Sequence, residues 1–287
     1  MSAAVLKALA TVAIWGSSFL AIRVALESAT PLGVVWVRNA VASLLLFALL
    51  RARGGPLLPE RGDRTRCFLL GLVISAHFLI QTFAMQSTST LRAGWIIAFI
   101  PVVVAVGSRV FLGQRMKPSG WLGIAIATLG VLGLTAVRPA ELANAGLGDG
   151  LMLLSTLTWG AYTLLAIDVV RRNGGLRVAA FALAVAAVPT LAAALFSGTW
   201  QADPSLRSLL AITFLSACAS ALAMWLFADV VAELGPERSS AFQYLQPFVT
   251  LAVSFLFLDE SFTIPQLVAG PTVLLGVWLV QRAKRVT

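Results

Sequence analysis

The chain of 287 residues is poor in the side chains that build catalytic, metal and disulfide sites. It holds two cysteines, Cys67 and Cys218, and one histidine, His77. That excludes a disulfide framework and an ordinary Cys/His zinc site. No metal and no cofactor is expected. Charge is scarce too. Asp, Glu, Lys and Arg make up 11% of the residues, against roughly 25% in soluble domains. Hydrophobic residues reach 59% and mean hydropathy is +0.91. A soluble fold of this size cannot hide so much apolar surface, so a lipid bilayer must cover part of it. The net charge of +9 does not mark a nucleic-acid binder, because the basic residues sit in short segments between apolar runs.

Ten windows have the roughly 20 mostly apolar residues that a bilayer-crossing helix needs. They lie near 3–22, 31–50, 67–85, 91–111, 119–137, 150–170, 178–196, 208–231, 239–258 and 264–282. Pro31, Gly54-Gly55-Pro56, Pro118, Pro139, Gly174-Gly175, Pro204, Gly235-Pro236 and Pro265 punctuate them. Lys7 ahead of an apolar stretch gives the first window a signal-peptide reading. No small-residue cleavage site follows, and Trp15-Gly16 returns as Trp159-Gly160, so the window is taken as a span.

With a cytoplasmic N-terminus, 16 of the 21 basic residues fall on the inner side, among them Lys7, Arg51, Arg53, Arg109, Arg172 and Arg282. Arg23, Arg92, Arg138 and Arg207 fall outside, and Arg38 lies within a span. This is the positive-inside pattern, and it places both termini in the cytoplasm.

The chain repeats itself. Pro101, Gln114 and Gly130 return as Pro247, Glu260 and Gly276, each at an offset of 146. Five spans per half means that the second half enters the membrane from the opposite side. The expected fold is therefore an all-α integral membrane protein. Its ten transmembrane helices form two inverted five-helix repeats, at 1–140 and 147–287, within one membrane domain. Halves of this kind commonly face each other across a substrate site near the bilayer midplane.

Polar groups inside spans point to that site, since a charge there costs about 2.5–3.5 kcal/mol on insertion scales. Arg38 either holds a carboxylate in a wet cavity, snorkels outward, or bonds carbonyls at a helix break. His77 and Gln81 share a helix face, with Gln86 beyond them. Pro101 and Pro247 break their helices and free a carbonyl, which a membrane tolerates only against protein or a wet cavity. Trp95 and Phe99 precede the first proline; Gln243, Tyr244 and Gln246 precede the second. Trp15 and Trp159, repeat equivalents, lie deep, with Tyr162 after the latter, while Trp36, Trp121 and Trp200 suit interfacial positions. A cavity of Trp, Tyr, Phe, Gln and His suits an amphipathic organic solute. It suits a metal or a phosphate poorly. Gly123 and Gly130, matched by Ala269 and Gly276, put small residues on one face of the fifth and tenth spans, so these helices should pack together or form a dimer contact. Asp168, Asp229 and Glu233 are expected to be solvated near cytoplasmic ends.

Trp15-Gly16-Ser17-Ser18-Phe19, Arg38, and a proline-bearing span leading through a turn into a Gly-rich span, present twice, resemble the drug/metabolite transporter superfamily in its EamA branch. The resemblance covers essentially the whole chain. It departs at Gln114, where the family usually has Glu, and this favours a structural role for that turn. Within the family, the size and aromatic interior are similar to bacterial aromatic amino-acid exporters (YddG type). The resemblance implies an inner (plasma) membrane carrier that exports small organic solutes, amino acids of the large neutral or aromatic kind, by alternating access. A broad drug or metabolite exporter is the alternative. Enzymatic activity is not expected, because no nucleophile with its base is present. The chain is expected to work as a monomer or homodimer.

Overall fold

Hydroxyl side chains start several helices. Ser2, Thr30, Ser89 and Ser205 each accept a first-turn N–H. Pro31 and Pro236 occupy first-turn positions, where a missing N–H is no loss. The computed structural model describes residues 2–135, 146–258, 264–283 and 285–286. The Asp259-Glu260 turn and Pro139 lie outside them, so the expected Gln114/Glu260 contrast has no structural counterpart here.

Among the described residues the long helices are α1 (Ala3–Ala25), α2 (Pro31–Ala52), α3 (Arg64–Ala84), α4 (Thr90–Phe111), α5 (Pro118–Thr135), α6 (Leu147–Asn173), α7 (Gly175–Ser197), α8 (Leu206–Leu234), α9 (Pro236–Phe257) and α10 (Ile264–Arg282). Eight of them, all but α5 and α10, are long and apolar enough to cross a membrane. Gly174 and Gly235, each at φ 82°, close α6 and α8 in a backbone region that glycine enters without strain. Outward-facing Leu44, Leu195, Leu256 and Phe196 are exposed, a pattern that lipid covers and water does not.

Three rods are irregular. α4 breaks at Ala98 and Phe99, just ahead of Pro101. α9 tightens into a 3-10 stretch, Phe242–Leu245, just ahead of Pro247. These are the same place in the two halves, because a proline N–H is missing from both ladders. α8 widens into a π-helical stretch, Leu215–Leu222. Pro271 sits inside α10. α3 stops at Ala84, so Gln86 is exposed beyond it instead of continuing the His77 face.

The two halves interlock through glycines. A Cβ on Gly16 of α1 would stand 2.5 Å from the Val249 side chain of α9. A Cβ on Gly160 of α6 would stand 2.6 Å from the Val103 side chain of α4. These contacts exchange under the repeat. α2 packs on α7, its counterpart, and runs antiparallel to it, with the Thr30 N–H donating to the Thr199 carbonyl at 3.0 Å. α5 and α10 also pair antiparallel: Gly123 meets Gly276, and Gly130 meets Val273. The small-residue spacing read from the sequence is what allows that approach.

At one end of the bundle, Arg172 grips Asp63 with two hydrogen bonds (2.9 and 2.6 Å) and Asn173 adds a third, which holds the segment after α2. At the same end, β1 (Arg115–Met116) pairs antiparallel with β2 (Arg285–Val286). Asp229, expected to be solvated, instead accepts from Lys7 Nζ at 2.6 Å. At the opposite end, Asp149 pairs with Arg92 and accepts from Thr88 Oγ1. Trp225 lies under the Arg53 guanidinium, 4.9 Å from ring centre to Cζ.

Candidate functional site

Where the helix irregularities meet, the interior is hollow. A small cavity of about 30 Å³, room for about two waters in this conformation, opens between α1, α2, α3, α4, α6 and α9. Seven of the residues expected from the sequence share its wall: Trp15, Arg38, His77, Gln81, Trp159, Gln243 and Gln246. All are buried.

The wall carries the repeat openly. Ile97 and Ile100 enter from α4, while Gln243 and Gln246 enter from α9, each pair separated by the offset of 146. Ile97 and Gln243 also stand four residues before the two prolines, where the ring disrupts the helical ladder. Thus one half offers apolar groups and the other amides at matched positions. Trp15 and Trp159 meet edge to face, 4.8 Å between centroids. Phe227 of α8 packs on both.

The π-helical stretch of α8 serves the wall from behind. The Ala223 N–H donates to Cys218 instead of to Ala219. This releases the Ala219 carbonyl, and the Trp15 indole N–H donates to it at 2.9 Å. The next residue, Ser220, accepts from Arg38 Nε at 2.8 Å. The Arg38 guanidinium also lies 4.0 Å from the Phe78 ring centre, a cation–π contact. No acidic residue stands among the described lining residues.

The remaining donors divide. His77 Nδ1 lies 3.0 Å from the Ser155 carbonyl, which can only accept, so Nδ1 carries a hydrogen. In the neutral ring this leaves Nε2 as an acceptor. Gln246 Nε2 donates to Gln243 Oε1 at 3.3 Å. Arg38 Nη1, Trp159 Nε1 and Gln243 Nε2 are buried with no hydrogen-bond partner among the described residues.

Four expected residues are not on this wall. Tyr162 stacks behind Trp159 at 5.5 Å. Trp95 and Tyr244 belong to a separate cluster with Ala127 and Val273 of the α5–α10 pair, where Tyr244 Oη lies 2.8 Å from Thr128 Oγ1. The break at Ala98 and Phe99 ends the helix that would have carried Trp95 and Phe99 along one face, and Phe99 is half-buried at that break. Pro101 and Pro247 are buried, each just past its break. Ser18, Phe19, Phe78, Ile97 and Ile100 line the cavity without having been singled out. The isoleucines were within reach, since each is the repeat equivalent of a chosen glutamine. So were Ser18 and Phe19, one helical turn past Trp15. The π-helical stretch left no signal in its run of small residues.

Apolar helices around a buried, mixed polar and aromatic cavity define a membrane transporter, multi-pass in the inner membrane. The chain belongs to the EamA-like transporter family, whose profile matches residues 2–136 and again 146–282. The uncharacterized inner membrane transporter YedA of Escherichia coli (strain K12) is 27% identical over 240 residues, 83% of this chain and 77% of that one. The uncharacterized transporter YdfC of Bacillus subtilis (strain 168) is 26% identical over 93% of this chain and 87% of its own. A probable terminal-alkyne amino-acid exporter of Streptantibioticus cattleyicolor is 29% identical over 98% of this chain and 94% of its own. A solved crystal structure, 17% identical, shares the fold with a TM-score of 0.78 and covers 97% of this chain and 96% of that one.

Proposed function

We propose that this transporter exports amino acids, of the large neutral or aromatic kind, by alternating access around the central cavity. The observation that carries the reading is the wall itself: Trp15 and Trp159 beside Arg38 and the Gln243–Gln246 pair. Aromatic surface takes an apolar side chain, and a guanidinium takes a carboxylate. The similarity to a probable amino-acid exporter supports the same direction. Cationic dyes, cargo of the broad drug-exporter alternative, find no counter-charge among the described lining residues.

In this reading α1 to α10 are ten spans in two inverted five-helix units, 1–140 and 147–287, with both termini cytoplasmic. The antiparallel α2–α7 and α5–α10 pairs support inversion, and the basic residues clustered at one end support the orientation. The matched breaks before Pro101 and Pro247 would be the joints about which the halves rock. The Lys7–Asp229 and Arg92–Asp149 pairs sit toward opposite ends of the bundle.

The test is uptake by liposomes holding the purified chain, with labelled amino acids beside a cationic dye. Saturable uptake of phenylalanine or leucine supports the reading, with Gln243→Ala lowering it about tenfold, as loss of a substrate-facing hydrogen bond does. Dye uptake without amino-acid uptake defeats it.

A further inference from the structure

A buried hydrogen-bond donor without an acceptor is costly, and a buried cation without a counter-charge more so. Among the described residues, the cavity wall holds three such donors, each on a nearly fully buried residue: Arg38 Nη1, Trp159 Nε1 and Gln243 Nε2. They come from α2, α6 and α9, yet they share one cavity. Their neighbours explain why they stay unmet. Ser220 takes only Nε of Arg38. Ala219 takes the N–H of Trp15 and not that of its twin Trp159. Gln246 meets only the oxygen of Gln243, not its Nε2.

We infer that these three donors form an anchor for one anionic group of the solute, and that the amino group of an amino acid is left without a charged partner. An ammonium in this cavity would stand beside the Arg38 guanidinium. The acceptors that the wall offers it, such as His77 Nε2 and the oxygens of Gln81 and Gln246, are neutral. A carboxylate or sulfonate, by contrast, balances Arg38 and can accept from two or three of the free donors at once. Arg38 is held for this task by Ser220 on one side and the Phe78 ring on the other. The cavity therefore carries one positive charge and suits a monoanion with an aromatic body. The inference rests on the exporter reading for the body of the solute and goes beyond it for the charge. Deaminated aromatic acids should be ligands of the same rank as amino acids.

The test is binding to the full chain in detergent, read from the fluorescence of its tryptophans, with four probes: L-phenylalanine, 3-phenylpropionate, 2-phenylethanesulfonate and phenethylamine. The two pure anions should bind at least as tightly as phenylalanine. Phenethylamine should bind about tenfold or more weaker, the usual worth of a charge-assisted hydrogen bond. Arg38→Gln should remove the preference for anions by weakening both anions and strengthening phenethylamine, whose ammonium no longer meets a like charge. Where that variant does not fold, Gln243→Leu should weaken the anions several-fold, and the ranking of the four probes on the parent decides by itself. Phenethylamine binding as tightly as phenylalanine, with 3-phenylpropionate failing, overturns the anchor, as does failure of all four. If the sulfonate binds through Arg38 while phenylalanine does not, the anchor stands and the amino-acid reading falls.

Discussion

Trp15 and Trp159 cross edge to face, their planes 85° apart, and only one of the two indole N–H groups has a partner among the described residues. Trp15 donates to the Ala219 carbonyl, while Trp159 faces the cavity unpaired. Repeat equivalents have thus taken different work, one structural and one open to solute. Trp15→Phe should lower stability by about 1–3 kcal/mol, because it strands the Ala219 carbonyl released by the π-helical stretch. Trp159→Phe should leave stability nearly unchanged and weaken solute binding about tenfold. Thermal melts in detergent beside a binding titration separate the two.

Gly16 and Gly160 make the same contact in exchanged halves, so they should fail alike. A methyl group on either would stand within 2.6 Å of a valine. Gly16→Ala and Gly160→Ala should each destabilise by about 1–3 kcal/mol, the range for overpacking. Gly150, with nothing within 4 Å of its Cβ position, is the control and should tolerate alanine. Val103→Ala should rescue Gly160→Ala, because the clash there is with Cγ1 at 2.6 Å, whereas Val249→Ala keeps a Cβ 2.5 Å from the new methyl and should not rescue Gly16→Ala. Melting temperatures of the singles and doubles give the answer, and rescue by the wrong valine contradicts the packing.

Lys7 and Asp229 join the start of α1 to the end of α8 at 2.6 Å. Both are partly exposed, so the pair should contribute about 0.5–1 kcal/mol. A double-mutant cycle on Lys7→Ala and Asp229→Ala should return a coupling of that size, falling as salt is raised. A coupling of zero at low salt would contradict a stabilising pair.

No acidic residue lines the cavity among the described residues, and His77 is fixed by its bond to Ser155. Substrate exchange should therefore proceed at the same rate with or without an imposed pH gradient. Rates that follow the gradient would assign a proton to the cycle and point to His77 first.

The sequence carried the rods and the repeat because apolar length and an offset of 146 are one-dimensional signals. It carried much of the cavity for the same reason, since polar groups inside spans stand out against lipid. What it did not carry is three-dimensional. Tyr244 reads as a cavity residue beside Gln243, yet the tightened turn before Pro247 sends it to Thr128 and the α5–α10 pair. Trp95 goes to that same cluster because α4 breaks two residues after it. Ile97 and Ile100 are not among the expected site residues, because isoleucine in a span carries no mark. The repeat would have named them once Gln243 and Gln246 were chosen. The Ala219 carbonyl and Ser220 depend on a π-helical register that the run of small residues does not announce.

The central claim is a carrier that holds an amino acid in this cavity and exchanges it between the two faces of the membrane. Counterflow tests it most directly: liposomes holding the chain are preloaded with unlabelled phenylalanine and given the labelled form outside. Uptake should be saturable, faster with the preload than without, and about tenfold slower for Trp159→Ala, which removes a wall of the site. Uptake that rises linearly with concentration, ignores the preload and survives Trp159→Ala would contradict it.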